Sequence, residues 1–387
     1  MGEVKSGWTL VRLREVVRRY NERVQDPAGA GFRRFLKVEH LDPQRVTVER
    51  WGAIGEDELP PTFRNAFQPG HVLYPSRNPH LRRTAQPNFG GICGEKTFVI
   101  EASLGLAQDL LPYVLSSERC VAFATTHSIG STNKHIRWRD LAEYEFALPP
   151  LGEQERIAGV LRQTTAVSDE LARARSTASL VVEATLRDAF PEFPSHWQHS
   201  SVSLASVTEH IGDGTHQSPK FTSEGIPFLL VSNISRGSLD PAFKKFVGRP
   251  EYEVLVKSFR PRRGDILYSL VGSYGVPLLV DWDWDFTFQR HVGVLRVDRA
   301  KLHPRFLYWF LRSPAGARQA HRFAEGLAQK TITLTALRGF SIPVPSLVRQ
   351  REISDRLDEL QTAEAAVDRR LMAAREVLAQ LREGLLG

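Results

Sequence analysis

Two stretches of the chain carry apolar residues at alternating steps of four and three positions. The stripe after Pro345 is broken only at Glu364 and consists of Ile353, Leu357, Leu360, Val367, Leu371, Ala374, Leu378, Leu381 and Leu385. The stripe between Pro150 and Pro191 has smaller residues and includes Ile157, Leu161, Leu171, Ala178 and Val182. Neither stretch contains proline. A seven-residue repeat of this kind predicts a long helix whose apolar side packs against another helix.

The simplest partner for each predicted helix is the other one, in antiparallel orientation. The alternative is that each helix packs only on the domain before it, but stripes sustained over four or five heptads favour a helix pair. At 1.5 Å per residue, about 37 residues would form a rod of about 55 Å, with the rest of the chain divided between its two ends.

The segments in front of the two helices have a different pattern. They contain short runs of β-branched and aromatic residues separated by glycine and proline, among them KTFVIEA, IPFLLVSNI, DILYSLV and HVGVLRV. Such runs are typical of short strands joined by irregular loops. The predicted fold class is therefore α+β, with two tandem mixed α/β domains and two long antiparallel coiled-coil helices.

A long internal repeat organises the whole chain. LPPLGEQERIAGVL at residues 148–161 recurs 196 positions later as VPSLVRQREISDRL at 344–357, and FQPGHVLYPS at 67–76 resembles RPRRGDILYSL at 260–270. Each half also opens with a tryptophan, Trp8 or Trp197. A period this long indicates tandem domains rather than a solenoid. We predict mixed domains at 1–150 and 191–345, with helices at 151–190 and 346–387.

Composition is that of a soluble globular protein. The 387 residues are 42% hydrophobic and 25% charged, which fits two or three domains. No apolar run reaches the length of a membrane span, and the start of the chain lacks the apolar core of a secretory signal. Cys93 and Cys120 are the only cysteines, too few for a disulfide framework. We therefore expect a cytoplasmic protein.

The charge balance makes nucleic acid a plausible partner. There are 51 basic residues against 44 acidic ones, and only 10 of the basic residues are lysine. Arginine suits phosphates and guanine edges, because its planar guanidinium can bind two acceptors at once. The alternative is that these charges are merely solvated.

Known catalytic patterns are missing from the sequence. GDGTHQ at 212–217 lacks the third glycine of a dinucleotide fingerprint, and GxxxxGK[ST] does not occur. Asn or Asp followed by Pro-Pro and an aromatic residue, the usual adenine-methylation motif, is also absent, as is a clear nuclease motif. His196 and His199 have metal-ligand spacing but no companion ligands nearby. We expect no catalytic residue, no metal and no cofactor bound by this chain.

Several of these motifs together resemble a known family. The 148–161 boundary with its copy, GDGTHQSPKFTSEGIPFLLVSNI at 212–234, GDILYSLVGSYG at 264–275 and FQRHVGVLRV at 288–297 are similar to the DNA specificity subunit of type I restriction-modification systems. The resemblance covers essentially the whole chain. It implies two target recognition domains, each reading one half of a bipartite sequence in duplex DNA, and two helices that fix the gap.

The resemblance also implies partners. These are two modification (methyltransferase) subunits that use S-adenosylmethionine and restriction subunits that translocate DNA. Candidates for subunit contact are Glu153, Gln154, Ile157, Gln350 and Ile353. The second copy departs from the family pattern, because Arg349 stands where the first copy has Glu153.

Candidate DNA-binding residues lie in loops rich in turn formers and hydrogen-bonding side chains. In the first domain they are Arg77, Asn78, His80, Arg82, Arg83, His127, Ser131, Asn133 and Lys134. In the second they are Thr215, His216, Gln217, Lys220, Ser269, Ser273, Tyr274, Gln289, Arg290, Gln329 and Lys330. For each residue, the alternative is a turn side chain that only faces solvent.

Three other functions remain open from the sequence. The same type of subunit could serve a combined cutting and methylating restriction enzyme. The chain could instead modify or cut DNA by itself, with a site built from scattered residues, or act as a coiled-coil scaffold that binds only protein.

Overall fold

The structure is a computed structural model that describes residues 5–43, 45–103, 105–191, 201–235, 237–326 and 330–386, without the side chain of Leu386. The chain divides into two compact units. Unit 1 is Met1–Ala174 with Val367–Gly387, and unit 2 is Arg175–Ala366. Each unit therefore combines one mixed domain with parts of both long helices. The predicted roles of Trp197, His196, His199 and Gln329 lie outside the described residues.

Unit 1 contains nine strands, four short helices and the start of a long one among its described residues. In chain order they are β1 Thr9–Arg12, α1 Leu13–Val16, β2 Val17–Tyr20, β3 Arg34–Leu36, β4 Gly52–Ala53, β5 Phe63–Phe67, β6 Val72–Pro75, β7 Gly91–Gly94, β8 Thr97–Ala102, α2 Leu111–Leu115, α3 Glu118–Thr126, α4 Trp138–Leu141, β9 Glu145–Leu148 and α5 Leu151–Ala189. The strands form the sheets β1-β9, β2-β8-β6 and β4-β3-β7-β5.

The sheet β2-β8-β6 is buried on both faces. Its central strand β8 reads TFVIEA, and alternate residues along a strand point to opposite faces. Phe98 and Ile100 belong to the main core of unit 1, which also contains α2 and the start of α5. Val99 points to a second core, which it shares with Leu73 and Phe67. This strand therefore joins the two layers of the domain.

Unit 2 repeats this plan. Its further elements are β10 Ser201–Ser203, β11 Thr208–Asp213, β12 Phe221–Thr222, β13 Ile226–Leu229, β14 Phe246–Val247, α6 Arg249–Leu255, β15 Ile266–Ser269, β16 Pro277–Leu279, β17 Thr287–Phe288, β18 Val292–Val297, α7 Pro304–Arg312, α8 Pro314–Phe323, α9 Leu334–Arg338, β19 Ser341–Pro343 and α10 Leu347–Leu386. The sheets are β10-β19, β11-β18-β15-β16 and β12-β14-β13-β17. The sheets β4-β3-β7-β5 and β12-β14-β13-β17 each contain one parallel pair of strands, β3 with β7 and β13 with β17.

One glutamine fixes the first turn of the long helix in each unit. Gln154 Oε1 accepts from the Ala107 N–H at 2.7 Å, and its Nε2 donates to the carbonyls of Gly105 and Pro149 at 2.7 and 2.8 Å. Gln350 does the same with backbone groups 196 positions further on: those of His303, Lys301 and Pro345, at 2.7, 3.0 and 2.8 Å. The repeat found in the sequence is therefore a repeat of hydrogen bonds.

These bonds correct part of the subunit-contact prediction. Gln154 and Gln350 are 1% and 0% exposed, and Ile157 is fully buried in the core of unit 1. None of the three side chains is accessible to a partner subunit, because each is buried against the domain in front of its helix. Ile353 is half-buried against the core of unit 2. Glu153 keeps about a third of its side chain exposed while it pairs with Arg156 at 2.6 Å.

The two long helices pack against each other within each unit. In unit 1, Leu161 from the start of α5 and Leu378 from the end of α10 share a core. In unit 2, Leu186 from the end of α5 shares a core with Leu357 from the start of α10. The helical segments are therefore antiparallel, and each also packs on its mixed domain. The polar break at Glu364 has a partner, since Ser179 of α5 donates a hydrogen bond to it.

Candidate nucleic-acid interface

The loops of unit 2 that carry the candidate residues begin at one end of the sheet β11-β18-β15-β16. β11 ends at Asp213, which pairs with Gly293 near the start of β18, and β15 ends at Ser269, which pairs with Val292. A bridge between Val271 and Thr331 joins a hairpin to the same place. We call residues 214–220, 270–275, 289–291, 325–326 and 330–331 the loop end of unit 2.

The loop after β11 is held against the chain before β18. The Thr215 N–H donates to the Phe288 carbonyl and the Arg290 N–H donates to the Thr215 carbonyl, both at 3.2 Å. Gly214 is needed there, because an added Cβ would lie 2.1 Å from the Phe288 oxygen. The Thr215 hydroxyl is occupied within the turn, where it donates to the Gln217 carbonyl at 3.0 Å. The rest of this loop can therefore present side chains on a fixed backbone.

Most other candidates of unit 2 are on the surface. Ser273, Gln217, His216, Arg290 and Lys330 are exposed, and Gln289 is half-buried. The His216 Nε2 lies 3.0 Å from the Asp213 carboxylate, which orients its ring. The exposed Lys220 has its backbone N–H bonded to Glu251 at 3.2 Å. The loop end thus brings amide, imidazole, hydroxyl and cationic groups together.

Two candidates at the end of β15 and in the loop after it are engaged within the unit. Ser269 is 0% exposed, and its Oγ accepts from the Val276 N–H at 2.8 Å. The prediction that Ser269 contacts DNA is therefore wrong, because a strand residue between two buried neighbours closes the turn instead. Tyr274 is half-buried and its hydroxyl lies 2.8 Å from His321 Nδ1 on α8.

Unit 1 has an equivalent loop end. β6 ends at Pro75, which pairs with Thr97 at the start of β8, and β2 ends at Tyr20. The bridge Arg77–His135 corresponds to Val271–Thr331 in unit 2. We call residues 21–26, 76–83, 95–96 and 129–135 the loop end of unit 1.

The same backbone turn occurs in both loop ends. The Asn78 N–H donates to the Lys134 carbonyl at 2.8 Å, and the Gly272 N–H donates to the Lys330 carbonyl at 3.3 Å. Asn78 has φ +51° and Gly272 has φ +76°, in the left-handed region that glycine and asparagine tolerate. The left-handed backbone conformation therefore favours asparagine at position 78, whether or not its side-chain amide contacts DNA.

The other candidates of unit 1 divide into free and engaged side chains. Exposed ones are Arg77, His80, Ser131, Asn133 and Lys134. Arg82 forms an ion pair with Glu118, and the exposed His127 ring lies 4.1 Å from the Phe123 ring. Arg83 is half-buried and donates to the Val38 carbonyl at 3.0 Å. This bond ties two loops of the domain together, and the DNA contact of Arg83 stays a prediction.

Sequence reasoning missed several polar side chains at the two loop ends. Arg23 and Lys96 are exposed in unit 1, and His291 and His321 lie beside the loops of unit 2. Lys96 could have been found, because it directly precedes a predicted strand that pairs with the strand leading to Arg77. His321 carried no signal, since only the folded loop brings it to Tyr274.

Neither a metal-ligand cluster nor an activated thiol is present among the described residues. They contain no cluster of three or more His, Cys, Asp or Glu side chains arranged to hold a metal ion. Burial raises the pKa of the Cys93 thiol to about 12 and that of Cys120 higher still, so both are protonated near neutral pH. Among these same residues, no helix is long and apolar enough to cross a bilayer.

Known proteins with similar sequences are specificity subunits. The chain is 25% identical to the type I restriction enzyme EcoBI specificity subunit of Escherichia coli, over 61% of this chain and 55% of that protein. It is 21% identical to the MjaVIII specificity subunit of Methanocaldococcus jannaschii, over 62% and 60%. The alignments thus span less than two thirds of these curated relatives.

Solved structures share the fold. The S subunit of a type I restriction-modification system from M. genitalium matches with a TM-score of 0.60 at 16% identity, over 100% of this chain and 97% of that one. A chain from a study of complex assembly and conformational transition of the type I restriction-modification system matches with a TM-score of 0.57 at 22% identity, over 100% and 98%. At such identities the likeness concerns architecture alone.

A family model covers more than half of the chain. The model of the type I restriction modification DNA specificity domain matches residues 92–178 and 204–370, which include the loop after β11, the loop after β15 and both helix starts. The chain belongs to the family of type I restriction-modification DNA specificity domains.

Proposed function

We propose that each unit reads one half of a bipartite duplex DNA target through its loop end. The observation that carries this proposal is that the two loop ends share a backbone frame but differ at several of the side chains on it. Arg77 and His80 in unit 1 correspond to Val271 and Tyr274 in unit 2. Two units with the same backbone frame and different side chains on it would recognise two different half-targets.

The chemistry of the side chains suits a division of labour. Gln217 and Arg290 carry paired donors or acceptors that match adenine and guanine edges in the major groove. Lys134 and Lys330 occupy equivalent hairpins and are point charges suited to phosphates, which carry no sequence information. Binding should therefore have a salt-dependent part common to both units and a sequence-dependent part specific to each.

The partners in this proposal come from the family. Two modification subunits that use S-adenosylmethionine would methylate the target, and restriction subunits would cut DNA, while this chain supplies recognition and no catalysis. The first turns of the long helices offer surface for such partners, because Leu151 and Val348 are 55% and 64% exposed. Of the predicted contact residues, Glu153 remains the best placed.

A domain replacement tests the proposal. Residues 197–343 would be exchanged for the equivalent domain of another specificity subunit, and methylation would be mapped after modification subunits are added. We expect one half of the target to change while the other half and the gap stay the same. A change in both halves would contradict independent reading. No DNA binding by the unaltered complex would favour a protein-only scaffold.

A second experiment addresses catalysis. The purified chain should neither take up S-adenosylmethionine nor methylate DNA until modification subunits are present. Calorimetry that detects cofactor binding by the chain alone would contradict the non-catalytic role.

A further inference from the structure

Unit 2 has a cationic cavity at one end of the sheet β11-β18-β15-β16. The loop end lies at the opposite end of this sheet. β15 begins beside the cavity at Ile266, and β18 ends there at Val297. The cavity has a volume of about 270 Å³, and its polar lining is dominated by Arg263, Arg299, Arg305 and His303, with Asp281 as the one acidic residue. It lies beside the first turn of α7, where the helix carries partial positive charge.

Part of this positive charge is uncompensated. Arg305 pairs with Asp358 and Arg263 pairs with Asp283, both at 2.7 Å. Arg299, by contrast, makes no ion pair with any carboxylate in the described part of the chain. Its guanidinium lies directly over Gly264. A Cβ added to this glycine would be 2.5 Å from Arg299 Nη2.

His303 adds an unused polar atom at the same place. Its Nδ1 is buried and has no hydrogen-bond partner among the described residues. Burial, together with the charges of Arg351, Arg305 and Arg299, lowers its pKa. A buried nitrogen surrounded by guanidinium groups is costly unless a hydrogen-bond partner is supplied, because unpaired buried polar groups lose their solvation.

The equivalent place in unit 1 has different polar groups. Gly70 corresponds to Gly264, and both have positive φ, at +87° and +92°. In unit 1 the amides of Gln86 and Gln108 donate to the Gly70 carbonyl at 3.0 and 2.7 Å. The residues 196 positions before His303, Arg305 and Arg351 are Ala107, Asp109 and Glu155. The cationic cavity is therefore a property of unit 2 alone among the described residues of these two places.

We propose that this cavity binds a phosphate group. A guanidinium presents two parallel N–H groups that match two phosphate oxygens, and Arg299 is free to do so. His303 lines the same cavity and offers its imidazole as a further donor, and the cavity, which is open to solvent, has room for one tetrahedral anion with part of its ester. The phosphate comes either from a small molecule, such as a nucleotide, or from the DNA backbone. The site does not depend on target reading at the loop end.

Calorimetry with inorganic pyrophosphate tests the small-molecule source on the full chain. We expect binding that Arg299→Gln weakens roughly tenfold or more, the size expected for one lost charge-assisted pair of hydrogen bonds. Arg299→Lys should recover only part of it. Arg356→Gln removes an exposed arginine elsewhere on α10 and is the matched control for net charge. Pro304→Gln, which introduces the residue that unit 1 has at the equivalent position, Gln108, places an amide in the cavity lining and should weaken binding.

A non-target duplex tests the DNA source. The slope of log affinity against log salt should decrease by about one unit in Arg299→Gln if the site holds a backbone phosphate. Loss of pyrophosphate binding with an unchanged slope would assign a free phosphate ester, and the reverse result would assign DNA. If Arg299→Gln equals the unaltered chain in both measurements, the proposal is overturned. The Arg299→Gln variant should recognise the same two half-targets as the unaltered chain, so the failure of this proposal can be told apart from a failure of the proposed DNA reading.

Discussion

Unit 1 and unit 2 share a hydrogen-bonding frame but differ in nearly every exposed side chain on it. The glutamine at the helix start makes the same three bonds in both units, and the turn at Asn78 or Gly272 makes the same backbone bond. The loop ends carry different side chains, and the cationic cavity lies in unit 2. The two units thus share groups that hold each fold together and differ in groups that we propose to contact ligands.

One ion pair shows how far side chains can change while a contact persists. In unit 1, Arg162 of α5 pairs with Asp109 at 2.5 Å. In unit 2, at positions 196 further on, Asp358 of α10 pairs with Arg305 at 2.7 Å. The contact has been kept with its polarity reversed. Opposite charges thus connect helix and domain at this position in both units, with the signs exchanged.

The largest effect should come from removing the shared glutamine. Gln154→Ala and Gln350→Ala each remove three hydrogen bonds to backbone groups that are at least partly buried, so we expect a loss of about 2 to 4 kcal/mol in each unit. Denaturant unfolding followed by amide hydrogen exchange would report the two units separately. If the comparison is sound, Gln154→Ala lowers protection in unit 1 and Gln350→Ala lowers it in unit 2, by similar amounts.

A neighbouring residue gives the control. Glu153→Ala removes a partly exposed side chain from the same turn and should change stability by less than about 0.5 kcal/mol. A large effect of one glutamine and none of the other would show that only one unit depends on this bond.

Target discrimination should change in one unit at a time. Gln217→Ala or Arg290→Ala should cost about 1 to 3 kcal/mol at particular base pairs of one half-target, and Arg77→Ala should do so only in the other half. Lys330→Ala and Lys134→Ala should weaken binding to all sequences instead. Binding selection with randomised duplexes would measure this. An Arg77 variant that altered the same half as Gln217 would contradict separate reading.

The sequence predicted the frame of the molecule well, for physical reasons. The heptad stripes identified α5 and α10 because helix packing imposes a strict period. The offset of 196 identified the buried anchors, since residues such as Gln154 and Gln350 each complete three bonds and tolerate little change. Their role, however, was assigned to subunit contact, because a repeated polar residue is equally expected at a surface.

The candidate interface was harder to predict. Ser269 lies in a glycine-rich segment typical of a binding loop, and only the register of β15 shows that it is the last buried residue of a strand. Arg83 could have been a phosphate contact by sequence, but its bond to Val38 depends on two loops meeting across 45 positions. The cavity around Arg299 was missed because its lining comes from segments that are far apart along the chain.

Ser269, at the end of β15, and Ser273, in the loop after it, should behave differently. Ser269→Ala leaves the partly buried Val276 N–H without its Oγ acceptor and should cost about 1 to 2 kcal/mol in unit 2. Ser273→Ala removes an exposed hydroxyl and should leave stability unchanged, while affecting DNA affinity if that hydroxyl meets the target. Thermal unfolding and DNA titration of both variants separate the two roles. Equal stability of both variants would contradict the structural assignment of Ser269.

The smallest effects should come from the ion pair of reversed polarity. Arg305→Asp would place a second carboxylate beside that of Asp358. The Asp358 carboxylate would keep the hydrogen bond from Trp309 Nε1, at 3.0 Å. We expect a loss of about 1 kcal/mol, because the pair is partly exposed and screened by solvent. Asp109→Arg in unit 1 should cost about half as much, since the side chains of Asp109 and Arg162 are 53% and 66% exposed.

Exchanging the two charges distinguishes the ion pair from its surroundings. The double variant Asp109→Arg with Arg162→Asp recreates the polarity of unit 2 and should restore stability in unit 1. The reverse exchange in unit 2, Arg305→Asp with Asp358→Arg, should restore only part, because a guanidinium cannot accept the hydrogen bond that the Trp309 indole now donates to Asp358. Double-mutant cycles at low and high salt would measure these differences, and full recovery in unit 2 would mean that the indole bond contributes nothing.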